Sequence, residues 1–299
     1  MPPSHAHMLV YVEYFKGSGQ VVYTIPNLNG PVTGITILND RMYVSHSGCQ
    51  LIGIYCPATF QFQQLLACYC SLCGRETNTI PCYNCGSNYG STPQHIAACD
   101  INNCLYVSAY CTYFGSHIFK VAFGENSRLH FWPVVGNPEG LSVTSSHNLL
   151  VAMSDTCSVH EYTTDGCLVR QINLQPAGIS NPVHSVQLSN DQFGVTDHGP
   201  THQFSVVSFQ GTVVQSYRGD AGEMNNPQGI AVDQRGRIFV ADQSNNRILV
   251  MDSKTLSAHP LPLPTDCELN GPHSVHFDVV SRRLYIGEWI GGRIVCCQL

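Results

Sequence analysis

The sequence predicts an all-β fold that is built from repeats. Charged residues make up only 11% of the chain, against roughly a quarter in an ordinary soluble domain. The only lysines are those at positions 16, 120 and 254. Because long surface helices usually carry interleaved Glu and Lys, an α-helical fold is not expected. Glycine (26 residues) and proline (17 residues) are frequent, as they are in chains of short strands joined by tight turns.

Six similar segments define the architecture, and each of them opens with a proline. The prolines are spaced by 62, 45, 44, 45 and 45 residues, at Pro31, Pro93, Pro138, Pro182, Pro227 and Pro272. In the clearest copy we predict strand a at 230–233, strand b at 237–241, strand c at 247–251 and an outer strand d at 256–261. Four strands in about 45 residues, repeated six times, predict a six-bladed β-propeller with four-stranded antiparallel blades.

We expect a single domain over residues 8–299 that is closed by an N-terminal strand. The predicted blades are 31–66, 92–135, 136–179, 180–224, 225–269 and 270–299 plus 20–25, and residues 67–91 form a Cys-rich insertion. The last blade ends after its strand c, so the strand at 20–25 is expected to complete it. Residues 8–15 also have a strand pattern, either as an added edge strand or as part of a longer protein. The second interpretation is the preferred one.

The fifth segment carries a recognisable motif. It has Pro-Gln-Gly-Ile-Ala-Val-Asp at 227–233, Gly-Arg-Ile-Phe-Val-Ala-Asp at 236–242 and Asn-Arg-Ile at 246–248. This pattern closely resembles the NHL repeat, which is found at the C-terminus of many tripartite-motif proteins. The resemblance implies an NHL or TolB-like propeller that acts as a non-catalytic protein-binding module, the substrate-recruiting part of a ubiquitin-ligase-like protein. Nothing in the sequence resembles a RING, B-box or coiled coil, so ligase activity itself is not expected.

Unusual loops mark one end of the predicted ring. The d-to-a and b-to-c connections of a propeller share one end, and both the insertion and the long connection at 110–117 belong to it. Loops on a rigid scaffold are common binding sites. We therefore predict a partner-binding surface there, with protein as the expected partner. Its predicted residues are Tyr110, Tyr113, Phe114, His117 and Trp289.

The insertion holds two Cys-x-x-Cys-Gly pairs. They are Cys70 with Cys73 and Cys82 with Cys85. Each pair resembles a zinc knuckle, and four thiolates would complete a structural zinc site that has no open position for catalysis. The alternatives are reduced thiols, or disulfides if the protein is extracellular. Structural zinc is the one cofactor that the sequence predicts.

Three histidines open the inner strands of alternate blades. His95, His184 and His273 are similar in placement to the zinc ligands of peptidyl-amidoglycolate lyase, a six-bladed propeller enzyme. That resemblance implies an alternative function as a metal-dependent lyase or lactonase. His273 directly follows its proline, whereas the other two stand two residues after theirs. A one-residue offset turns a strand side chain to the opposite face, so the three rings are not expected to converge. The alternative is a structural role, in which each histidine replaces the Gly that usually starts an inner strand and its ring nitrogens bond to the backbone.

Five arginines support a third function, RNA binding. They fall in the predicted a-to-b turns of neighbouring blades, at Arg41, Arg235, Arg237, Arg282 and Arg283. No aromatic residues are interleaved with them to stack bases. The formal net charge of −6 also disfavours general attraction to nucleic acid or an anionic membrane. RNA is therefore the less favoured partner.

The remaining patterns argue against several other functions. Asp197, Asp242 and Glu288 end predicted b strands, and we expect Asp242 to pair with Arg247 and Glu288 with Arg293 across the b-to-c hairpin. No nucleophile elbow, phosphate loop or His-Glu-x-x-His motif is present. No apolar run approaches the roughly 18 residues of a membrane span, and no signal peptide is visible. We expect a cytoplasmic protein that does not enter membranes.

Overall fold

The computed structural model describes residues 13–17, 20–25, 30–47, 51–67, 92–111, 115–124, 129–189, 191–219 and 224–299. In these residues 25 β-strands form six antiparallel sheets, accompanied by short 3-10 helices at Gln175–Ala177 and Gln243–Asn245. The predicted all-β, six-bladed propeller is therefore confirmed. Across these same ranges, the structure contains no helix that is both long and apolar enough to cross a membrane.

The strands follow the repeat. Two strands precede the first blade, β1 (Glu13–Gly17) and β2 (Gln20–Ile25). Blade 1 contains β3 (Val32–Leu38), β4 (Arg41–His46), β5 (Leu51–Tyr55) and β6 (Phe62–Ala67). Blade 2 contains β7 (Thr92–Cys99), β8 (Cys104–Cys111), β9 (Gly115–Ala122) and β10 (Leu129–Pro133). Blade 3 contains β11 (Pro138–Val143), β12 (Leu149–Met153), β13 (Ser158–Tyr162) and β14 (Leu168–Asn173).

The second half of the ring repeats this arrangement. Blade 4 contains β15 (Pro182–Ser189), β16 (Gln192–Asp197), β17 (Gln203–Ser208) and β18 (Val213–Tyr217). Blade 5 contains β19 (Pro227–Val232), β20 (Arg237–Asp242), β21 (Arg247–Asp252) and β22 (Ala258–Pro260). Blade 6 contains β23 (Pro272–Asp278), β24 (Arg283–Glu288) and β25 (Ile294–Gln298). The innermost strands contact one another around the ring, and β23 meets β3.

Burial on both faces explains the composition of the b strands. Ile238, Phe239, Val240 and Ala241 of β20 are all fully buried. Side chains alternate across a strand, so Ile238 and Val240 pack in the core shared with blade 4, while Phe239 and Ala241 pack in the core shared with blade 6. A strand that is buried on both faces is apolar throughout, and this explains why the chain carries so little charge.

The N-terminal strand closes the ring as predicted. β2 pairs with β25, from Val22 opposite Cys297 to Ile25 opposite Ile294, and Ile25 is only 1% exposed. β1 then pairs with β2 as a fifth strand of the same sheet. The strand expected at 8–15 is thus an added edge strand where the structure describes it, and residues 8–12 lie outside the described part.

A bulge at the start of each inner strand positions the residues at the mouth of the channel. The register between strands a and b shifts in all six blades, at 32/34, 93/95, 138/141, 182/184, 227/230 and 272/274. An inserted residue breaks the strict alternation of side chains. The residues just after the prolines therefore do not follow the two-residue period of an ideal strand.

Candidate functional site

We call the end of the ring with the d-to-a and b-to-c connections the loop face, and the opposite end the turn face. Trp289 lies on the loop face in the connection after β24, with 41% of its surface exposed. Its backbone N–H donates to the carbonyl oxygen of Gly271 at 2.8 Å, and its ring stacks on His273 with centroids 4.9 Å apart. The neighbouring Ile290 is 54% exposed. A fixed aromatic ring therefore presents a free face to solvent.

The other predicted partner-binding residues that the structure describes, Tyr110 and His117, belong to blade 2 and not to blade 6. Tyr110 is 45% exposed at the end of β8, in a blade that is separated from blade 6 by blade 1. His117 lies on β9 and contacts Phe119 and Phe131, with ring centroids 6.3 and 5.9 Å from its own. Its side chain thus belongs to an aromatic cluster toward the outer edge of blade 2. The remaining predicted residues, Tyr113 and Phe114, lie outside the described residues.

The predicted zinc ligands also lie outside the described part. Cys70, Cys73, Cys82 and Cys85 belong to the 68–91 segment, so the structural zinc site stays a prediction. Within the described ranges, no group of three or more His, Cys, Asp or Glu side chains has the arrangement to hold a metal ion.

The three predicted histidines lie at the inner strands, and they form no group of three that could hold a metal ion among the described residues. The rings of His95 and His184 are 4.8 Å apart. The pKa values of His184 and His273 are lowered to about 4, chiefly by burial, and at His273 the nearby His184 is the second cause of the lowering. The pKa of His95 is well below its ordinary value because of burial and of its histidine neighbours. Strict alternation fails here because the bulges shift the register.

Both ring nitrogens of His184 bond to the backbone. Its Nε2–H donates to the carbonyl oxygen of Leu141 at 3.0 Å, and its Nδ1 accepts the N–H of Ile230 at 3.2 Å. His95 Nδ1 accepts the N–H of Leu141 at 3.2 Å. Nitrogens that are engaged in this way have no lone pair free for a metal. This is the alternative role that we expected, and His95 and His184 fill it by linking the inner strands of adjacent blades. Within the described residues, the buried Nδ1 of His273 has no hydrogen-bond partner.

Two further groups of histidines escaped the sequence prediction. His276 lies on β23, and burial lowers its pKa to about 4. His198 and His202, in the b-to-c connection of blade 4, stack with centroids 6.0 Å apart, and His198 lowers the pKa of His273. The four-residue spacing of His198 and His202 was visible in the sequence, but no motif linked that loop to blade 6.

The acids that end the b strands hold the connections in place, as predicted. Asp242 pairs with Arg247 at 2.7 Å, and Glu288 pairs with Arg293 at 2.7 Å. Asp197 accepts the backbone N–H of Asn181 at 2.8 Å and has further donors in its own loop. All three carboxylates are nearly fully buried, so their role is structural.

The arginines of the predicted RNA site lie at the turn face, and two of them are engaged within the protein. Arg237 pairs with Asp233 at 2.7 Å and lies 5.5 Å from the ring centroid of Phe239. Arg283 donates to the carbonyl oxygen of Pro57 at 3.0 Å. The other three, Arg41, Arg235 and Arg282, are exposed.

Glu139 is a loop-face residue that the sequence prediction missed. It occupies the bulge of β11, where its Oε1 accepts the hydroxyl of Ser154 at 3.0 Å. Burial raises the pKa of this carboxyl group, and the nearby charge of Asp155 raises it further. No signal in the motif distinguished Glu139, because the equivalent bulge residue differs from blade to blade.

Comparison with known proteins agrees with the architecture. The NHL repeat family matches residues 224–251. Protein brain tumor of Drosophila melanogaster is 27% identical over 123 residues, which are 38% of this chain and 11% of that protein. Protein lin-41 of Caenorhabditis elegans is 61% identical over 31 residues, 10% of this chain and 3% of that protein. The chain thus aligns with only a small part of either relative.

Solved propellers share the fold at low sequence identity. Virginiamycin B lyase from Staphylococcus aureus matches 94% of this chain and 99% of its own, with a TM-score of 0.58 and 11% identity. The PQQ-bound aldose sugar dehydrogenase from Streptomyces coelicolor matches 96% of this chain and 98% of its own, with a TM-score of 0.64 and 12% identity. The chain is therefore a six-bladed β-propeller with an NHL repeat in its fifth blade, similar to the C-terminal propellers of tripartite-motif proteins.

Proposed function

We propose that this propeller is a non-catalytic protein-binding module that holds its partner on the loop face. The observation that carries the proposal is Trp289, a large aromatic side chain that is fixed by His273 and Gly271 yet 41% exposed. Trp and Tyr dominate the binding energy of protein interfaces. A pre-positioned ring also loses little conformational entropy on binding. Exposed Ile290 extends the apolar surface beside Trp289, and Tyr110 is exposed on the same face in blade 2.

The role implied by the tripartite-motif resemblance fits this surface. A substrate-recruiting domain must present a rigid face that binds and need not catalyse. The alternative enzyme function has less support, because the backbone engages both ring nitrogens of His184. RNA binding has less support because Arg237 and Arg283 already have partners within the protein.

Site-specific photo-crosslinking tests the proposal. A benzoylphenylalanine at position 290 on the loop face is compared with one at position 280 on the turn face, where Val280 is 91% exposed. Each variant is expressed as the full chain in cells and irradiated, and its adducts are identified by mass spectrometry. We expect protein adducts at 290 and not at 280, and several-fold fewer of them when Trp289→Ala is added. RNA adducts in place of protein adducts at 290, or equal protein adducts at both positions, would contradict the proposal.

A further inference from the structure

We infer that the loop face takes a basic segment of its protein partner, with a Lys or Arg side chain on the ring of Trp289. This inference rests on the proposed function and specifies its partner. It is carried by a surface that we call the acidic ledge, which consists of Asp266, Glu268, Trp289 and Ile290.

Buried residues that alternate with Asp266 and Glu268 along the chain hold the acidic ledge in place. In the connection from β22 to β23, Cys267 and Leu269 are buried in the core between blades 5 and 6, whereas Asp266 and Glu268 are exposed. The backbone carbonyl of Glu268 accepts a bond from Arg293. Two anchored residues thus hold the chain so that both carboxylates point to solvent.

Backbone bonds hold the connection that carries Asp266 and Glu268 against the loop of Trp289. The N–H of Asn270 donates to Glu288 Oε1 at 2.8 Å, and the N–H of Trp289 donates to the carbonyl oxygen of Gly271. A cation that lies over the face of a Trp ring is attracted by its quadrupole, and Arg is the cation most often found there. Nearby carboxylates add Coulomb attraction to the same charge.

The charge of the whole loop face favours the same partner. Among its described residues, carboxylates outnumber arginines: Glu139, Asp155, Asp197, Asp242, Asp266, Glu268 and Glu288 against Arg218, Arg247 and Arg293. Arg247 and Arg293 are neutralised by buried acids. In contrast, the described part of this face offers no ion-pair partner to Glu139, Asp155, Asp266 or Glu268.

The turn face provides an internal comparison. Its described acids and bases nearly balance: Asp40, Asp100, Glu161, Asp165, Asp191, Asp233, Asp252 and Asp278 against Lys16, Arg41, Lys120, Arg170, Arg235, Arg237, Lys254, Arg282 and Arg283. The excess negative charge therefore lies on the face that also exposes Trp289. A negative field attracts a basic peptide and repels RNA, and salt weakens both effects.

Fluorescence anisotropy with the full chain tests the inference. The probes are fluorescein-labelled octa-arginine, octa-glutamate and a ten-nucleotide single-stranded RNA, each at low and moderate salt. We expect octa-arginine to bind most tightly and to lose about tenfold in affinity when Asp266→Asn is combined with Glu268→Gln. Trp289→Ala should cause a similar loss. The matched control, Asp40→Asn with Asp100→Asn on the turn face, removes the same charge and should change the affinity less than about twofold.

Other results would overturn the inference. Equal losses from the ledge and turn-face variants would show that octa-arginine responds only to net charge. Tighter binding of RNA or octa-glutamate than of octa-arginine would reverse the expected charge of the partner. If protein adducts form at position 290 but octa-arginine is insensitive to the ledge, the basic-segment inference fails and the proposed function stands. If the adducts are also absent, both fail.

Discussion

Asp242 shows how one buried side chain joins separate parts of a blade. Its carboxylate is fully buried and accepts the N–H of Asn225, the Nε–H of Arg247 and the Nδ2–H of Asn245, all at 2.7–2.8 Å. A buried charge is tolerated only with such partners. The single carboxylate therefore fixes the entry to strand a and the b-to-c loop together.

Removing the arginine of this pair should be costly. Arg247→Ala leaves the charge of Asp242 buried without its cation, and we expect the free energy of unfolding to fall by about 3 to 5 kcal/mol. Urea denaturation measures this change. Arg235→Ala serves as the control, since that side chain is exposed in a turn and should change stability by less than about 0.5 kcal/mol. Equal effects of the two substitutions would contradict a structural role for the pair.

Residue pairs of this kind are predictable only where the partners flank one hairpin. Asp242 and Arg247 are five positions apart around a turn, so strand pairing alone places them together. His198 acts on His273, which is distant in the chain, and this contact depends on how the blades pack. No local pattern contains that information.

At the scale of the strand, the inner-strand bulge decides which side chains fit. Gly140 on β11 lies against His184 of the next blade, and a Cβ atom added at 140 would approach His184 Cδ2 to 2.1 Å. The residues equivalent to His184 in the repeat are Gly34 in blade 1 and Gly229 in blade 5. The small residue in one blade therefore makes room for the imidazole of its neighbour.

A double-mutant cycle tests this contact. Gly140→Ala should lower the free energy of unfolding by about 2 to 4 kcal/mol because the new methyl group overlaps the imidazole. In the His184→Ala background that penalty should shrink by at least about 1 kcal/mol. Urea unfolding of the four proteins gives the coupling energy. A penalty that is the same in both backgrounds would show that the ring is not the obstacle.

The bulge also explains where the strand-level prediction failed. Strand positions followed from the repeat, and β20 begins at Arg237, where it was predicted. The register shifts at 93/95 and 272/274 did not follow, because period-two alternation assumes an unbroken ladder. The motif contains no marker for an inserted residue, since the proline that precedes it is compatible with a regular edge as well.

At the scale of the molecule, the histidines of blades 2, 4 and 6 make the ring sensitive to acid. The pKa values of His184, His273 and His276 lie near 4 in the folded protein, against an ordinary value of 6.5. The unfolded chain therefore takes up protons first as the pH falls. Stability is full above about pH 6.5 and decreases toward pH 4.

Denaturation at pH 7 and pH 5 tests this dependence. We expect the free energy of unfolding to fall over this interval, and His276→Gln to reduce the fall by about 1 to 2 kcal/mol. Asp278 is the charged neighbour of His276, and its negative charge raises the pKa that burial lowers. His259→Gln, on the exposed outer strand β22, is the control and should leave the fall unchanged. A His276→Gln variant with the dependence of the parent protein would contradict the assignment.

The architecture was predictable because its pattern repeats along the sequence. The binding surface occurs only once, so the repeat could not predict it. Six copies of one pattern give independent support for each strand. The acidic ledge arises once, where Cys267 and Leu269 anchor a connection that has no counterpart in the motif. Trp289 was identifiable as an unusual loop residue, but its contact with His273 needed the closed ring.

Ring closure by β2 also has a mechanical meaning. Val22 faces Cys297 at one end of the pairing and Ile25 faces Ile294 at the other, so the start of β2 lies beside the end of β25. A force that draws residues 20 and 298 apart would break these backbone hydrogen bonds in sequence, starting from that end of the strand pair. The other five sheets share no backbone ladder with β2, so this pairing should open under such a force while those sheets stay paired.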